Sequence, residues 1–155
     1  MADPALLAPD CEAIERLARD VLARLPEPFA MHLDGVLLRV EEFAEDAVLD
    51  ELGIDDPFAL SGLYTGRPLG EKSSCDSGAL PDMIHLYRRA LLDEWIETGV
   101  ALDRLIAHVV IHEVGHHFGL SDADMEAIEA AAEGVPASPS IRSPACAGTG
   151  CCSRA

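Results

Sequence analysis

A mixed α and β domain is what the sequence predicts, on three observations. Apolar residues recur at helical spacing over 10–25 and again over 103–118. Three short runs, near 36–40, 60–64 and 83–88, have the character of strands. Glycines and prolines stand at the boundaries between them. The chain has 155 residues, the length of one domain, with 49% hydrophobic and 25% charged residues, which excludes a chain disordered throughout.

The elements follow in order. Asp10 caps a helix to about Leu25, with Ile14, Leu17, Val21, Leu22 and Leu25 on one side, and Pro26 and Pro28 stop it. A short helical turn follows, and Gly35 opens a strand over Val36–Val40. Asp46–Leu52 reads as a short helix closed by Gly53. A second strand covers Leu60–Tyr64, with Gly66, Pro68 and Gly70 marking the loop after it. The third, Met83–Arg88, puts Ile84 and Leu86 on one face and His85 and Tyr87 on the other. A helix over Leu91–Thr98 breaks at Gly99. From Gly134 onward there is no acidic residue, and Pro, Ser, Ala and Gly dominate. The expected organisation is a domain over 1–133 and a disordered tail over 134–155.

Charge narrows the function. Twenty-eight acidic against 11 basic residues give −17, a field that repels nucleic acid and anionic lipid and favours cations and basic substrates. No apolar run approaches the roughly 18 residues of a membrane span. The expected partners therefore include no nucleic acid and no membrane. No basic, signal-like region opens the chain, and its five cysteines form no even framework, so a cytoplasmic location is expected. The eight carboxylates of 41–56 lack the ordered spacing of a calcium loop and read as a solvated face. Cys146, Cys151 and Cys152 read as exposed, oxidisable thiols.

Asp103–Phe118 is the strongest helix. With His112 set at zero and about 100° per residue, Ala107, Val110, Ile111, Val114 and Phe118 form one apolar face between about 160° and 260°. The polar side carries His116 at about 40° and Glu113 at about 100°. These residues spell H-E-x-x-H: two imidazoles one turn apart, able to share one zinc, and a glutamate beside the first to act as base. Gly119 ends the helix, and Asp122 follows where its carboxylate can swing back as a third ligand, leaving the fourth position open for water. Chance yields H-E-x-x-H in roughly one in a few hundred chains of this length, and the added Gly119 and Asp122 make it rarer.

With this motif the chain resembles the small bacterial zincin-like metallopeptidase domains, or minimal zincins. The resemblance covers roughly Glu12 to Glu133. It rests on LSGLYTGRPL at 60–69, LPDMIHLYRR at 80–89 and VVIHEVGHHFGLSDADMEAIE at 109–129. It implies an α+β fold with the motif helix packed on a small mixed sheet, one Zn²⁺ held by His112, His116 and Asp122, and Glu113 as base.

The function this predicts is zinc-dependent hydrolysis of a peptide or protein substrate. The alternative is a metal-binding module without significant turnover. The strand at 60–64, if it lies at a sheet edge, would let an extended peptide add to it. Tyr64, His85, Tyr87, Arg88 and Arg89 are candidate donors to an oxyanion. His108 is placed to line the cleft or orient a ligand, and His117, at about 140°, to be partly exposed or to support the ligands.

Overall fold

Asp10 starts the first helix as expected: its carboxylate accepts a hydrogen bond from the Ala13 amide at 2.8 Å, ahead of α1 (Cys11–Arg24). The computed structural model describes residues 7–27, 29–66 and 81–133. The expected tail over 134–155, the glycine- and proline-marked loop beyond Gly66, and all the cysteines except Cys11 lie outside them. Helix α1 ends as Leu25 turns extended, at ψ 137°, because the proline after it disfavours a helical backbone.

One turn of helix, α2 (Phe29–His32), leads to β1 (Leu37–Glu41). The strand begins one residue later than expected. The Val36 amide is spent on a turn to Leu33 O, and the first ladder bond runs from Leu37 N–H to Asp82 O at 2.9 Å. Helix α3 (Asp46–Leu52) closes at Gly53 with φ 66°, a left-handed cap. A 3₁₀ turn, Pro57–Ala59, then precedes β2 (Gly62–Thr65) and β3 (Met83–Tyr87).

The strands form a mixed sheet in the order β1-β3-β2, with β1 parallel and β2 antiparallel to β3. Among the described residues β2 is thus an edge strand. Ile84 and Leu86 of β3, with Tyr64 of β2, join α1 residues Ile14, Ala18 and Val21 in the main core. The other face carries Leu60, Leu63 and Tyr87, which pack with Ala44, Leu49 and Ala90 in a smaller cluster. The alternation along β3 is the expected one. The fold is α+β.

Helix α4 (Arg88–Thr98) starts at Arg88, three residues earlier than expected, so β3 runs into it without a loop. Acidic groups hold this junction. The Arg89 amide donates to Glu42 O at 3.0 Å, and both guanidinium groups meet the Glu42 carboxylate, Arg88 at 3.0 Å and Arg89 at 2.8 Å. Helix α5 (Leu102–Phe118) ends at Gly119, φ 66°, where Leu120 N–H bonds to Gly115 O and Gly119 N–H to His116 O. Helix α6 (Asp122–Glu133) begins at a capping box. The Ser121 hydroxyl and amide both donate to the Asp124 carboxylate, and the Asp124 amide returns a bond to Ser121 Oγ.

The division of α5 into a core side and an open polar side does not hold. The sheet and α1 cover one side of the helix and α6 covers another, so His112 and Glu113 are buried along with the apolar residues. No helix among the described residues is long and apolar enough to cross a membrane.

Candidate metal centre

Helix α5 brings His112 and His116 together. Their rings lie edge to face, 4.9 Å between centroids and 79° between planes. His112 is only 6% exposed. Burial, then the neighbouring His116 and His108, lower its pKa to about 4, against the opposing pull of Asp122 and Glu129. Burial lowers that of His116 as well, with Asp122 opposing. Both imidazoles are therefore neutral near pH 7, the state in which a ring nitrogen can ligate a metal.

Glu113 lies against β2, next to Gly62. It is 2% exposed, and burial pushes its pKa up to about 8, with a hydrogen bond from the Tyr64 backbone pulling the other way. Among the described residues its Oε1 has no hydrogen-bond partner. Gly62 makes this approach possible: a Cβ there would stand 2.6 Å from Val109 Cγ1 and 3.2 Å from Glu113 Oε1. A buried carboxyl with an unmatched oxygen is able to exchange a proton with a molecule that reaches it.

Asp122 is the first residue of α6 and is exposed. Its charge acts on both His112 and His116, and it lines a cavity of about 130 Å³ with His108, Ile111, His112, Met125, Glu126 and Glu129. Among the described residues, no three His, Cys, Asp or Glu side chains converge closely enough to cage a metal. The donor types still suit zinc: two neutral imidazoles on one helix face and a carboxylate on the same cavity.

The remaining candidates separate clearly. His108 lines the cavity as expected and is held through Nδ1 by Glu129 at 2.9 Å. His117, expected to be partly exposed, is 1% exposed; its Nδ1 lies 3.0 Å from the Tyr64 hydroxyl and 3.8 Å from Asp82 Oδ2. Tyr64 donates to Asp82 Oδ1 at 3.0 Å, and burial raises its pKa strongly. Tyr87 sits in the smaller cluster, its pKa pushed up to about 12 by burial and then by Glu41, Glu113 and Glu45. His85 is engaged with Glu41 at 3.3 Å and Thr65 at 3.4 Å, while Arg88 and Arg89 are tied to Glu42. Glu41 and Glu42 thus work as structural anchors within the acidic stretch. Glu129, on the cavity, and Gly62, beside Glu113, are residues that the sequence alone did not single out, and Asp82 belongs to the Tyr64–His117 cluster.

A family profile described as zincin-like metallopeptidase matches residues 33–132, which take in the whole sheet, α5 and all but the last residue of α6. No curated protein matches the chain.

Proposed function

This chain belongs to the zincin-like metallopeptidase family, and we propose that it is a peptidase in which His112, His116 and Asp122 hold one zinc ion and Glu113 is the general base. The observation that carries the reading is the placement of Glu113. It is buried, has an oxygen without a partner, and lies on the same turn of α5 as His112, against the edge strand β2.

Zinc at such a site supplies Lewis acidity, polarising a carbonyl and acidifying water. The chain's own residues do the rest. Glu113 takes a proton from the attacking water and passes it to the leaving amine. Burial raises its pKa, which favours the neutral acid that must hold the proton between the two transfers. An extended peptide that paired with β2 would run beside Glu113, taking the place that Glu113 now holds on the Tyr64 backbone. Glu126, which also lines the cavity, favours a substrate with a basic side chain there. The odd cysteine count, with Cys11 free, supports a reducing, cytoplasmic setting.

The test is Glu113→Gln. Zinc content by elemental analysis should stay at one per chain, while cleavage of a diverse peptide library falls by about 100-fold or more. Equal cleavage by both forms would remove Glu113 from the mechanism. Zinc-loaded wild type that cleaves nothing would leave a metal-binding module without turnover.

A further inference from the structure

Met125 is buried, 4% exposed, and set into α5 at Gly115, the glycine inside HEVGH. A Cβ on Gly115 would overlap the Met125 sulphur and lie 2.5 Å from its Cγ. Glycine inside a helix lowers its propensity relative to alanine. Here the missing methyl is the space that the methionine fills, and an unbranched, polarisable thioether suits such a notch.

The notch lies beside His116 and less than one turn after His112. On α6, Asp122, Met125, Glu126 and Glu129 follow i, i+3, i+4, i+7 spacing, and all four line the cavity that His112 shares. Two of the four fasten α6 to α5: Met125 in the Gly115 notch, and Glu129 on His108 Nδ1 at 2.9 Å. Asp122 is exposed one turn before Met125, on a first turn made rigid by the Ser121–Asp124 capping box. Its place relative to the histidines is therefore set by how α6 lies on α5.

We propose that Met125 is a positioning residue of the metal centre: seated on Gly115, it holds the first turn of α6 against α5 and keeps Asp122 facing His112 and His116. This rests on Asp122 being a zinc donor. Met125 acts through Asp122 and does not itself touch metal or substrate.

A double-mutant cycle tests it. Zinc affinity is measured by chelator competition on the full chain, with Cys146, Cys151 and Cys152 replaced by serine so that these thiols do not take up the metal. The four forms are wild type, Met125→Ala, Asp122→Ala and the double variant. Met125→Ala should weaken zinc binding about 10- to 100-fold when Asp122 is present, the range for residues that orient ligands. In the Asp122→Ala background it should weaken binding by less than about twofold. Equal losses in both backgrounds, or no loss in either, overturn the proposal and leave the zinc site standing. Wild type that binds no zinc overturns the site and the proposal together. If thermal melting shows metal-free Met125→Ala to be unfolded, Gly115→Ala enters the same cycle in its place. It expels the thioether from the notch while strengthening the helix, and the same outcomes decide.

Discussion

Gly62 and Glu113 meet across the boundary between sheet and helix, with only 3.2 Å between a Cβ built on the glycine and Glu113 Oε1. The bare strand lets α5 press a carboxylate against the edge of β2, where the Tyr64 backbone donates to it. The position of the proposed base is thus decided by a residue that contributes no side chain.

Gly62→Ala should therefore destabilise the protein by about 1–3 kcal/mol, the usual cost of overpacking, and lower kcat by shifting Glu113. The nearer clash is with Val109 Cγ1, at 2.6 Å. Adding Val109→Ala should recover part of the stability. Urea denaturation of the two variants checks this, and a neutral Gly62→Ala would contradict the packing described.

The metal-free protein should show two opposed pH dependences. Glu113 has its pKa raised from 4.5 to about 8, so its contribution is full below pH 4.5 and is lost as pH rises to about 8. His112 is lowered from 6.5 to about 4, so its contribution is full above pH 6.5 and is lost as pH falls toward about 4. Each slope is at most about 1.4 kcal/mol per pH unit. Urea melts from pH 5 to 8 should show a smaller alkaline loss in Glu113→Gln than in wild type. Parallel profiles would refute the assignment.

Tyr64→Phe removes a hydroxyl that lies 3.0 Å from both Asp82 Oδ1 and His117 Nδ1. Two buried polar groups then each have one partner fewer, at a cost of about 1–3 kcal/mol. The urea midpoint should fall while zinc content is unchanged. A loss of zinc would mean that this cluster belongs to the metal centre and does not simply pin α5 to the strands.

Peptides with a lysine beside the cleaved bond should be cut faster than their glutamate counterparts, by about fivefold at low salt, since one rim charge pair contributes up to about 1 kcal/mol. The ratio should shrink with added salt. Glu126→Gln should reduce it, because Glu126 lines the cavity. Comparing kcat/KM for matched peptides decides, and a preference for acidic peptides would count against this cavity as the subsite.

Element ends were legible wherever a residue carries the signal by itself: Asp10, Gly53, Gly99 and Gly119 each stand at the cap where their chemistry places them. The join of β3 to α4 was not, because no turn residue marks it and Glu42, far away in the chain, holds it. The spacing of His112, Glu113 and His116 was readable from helix geometry, but the burial of His112 and Glu113 was not. A helical wheel carries angles only, and what covers this helix comes from β2 and from α6. His117 shows the same limit: its partners Tyr64 and Asp82 lie on distant strands. The start of α6 does have a local signature, Ser121-x-x-Asp124, and with it Asp122 is fixed in a first helical turn instead of a swinging loop.

Among the described strands, β3 touches both of the others. Its partner β1 is parallel to it, pairing Leu37 with Met83, so that ladder joins segments far apart in the chain. On a ribosome, β1 and β2 would leave the exit tunnel unpaired and stay so until Tyr87 had followed them. Two edges would be open in the meantime, and the entropy of closing a long loop has to be met before either ladder gives anything back. Helix α5 is made later still. The surface that receives Glu113 is therefore assembled only just before the helix that carries it, and a pause in translation near β3 would expose this chain to aggregation more than a pause anywhere in α1.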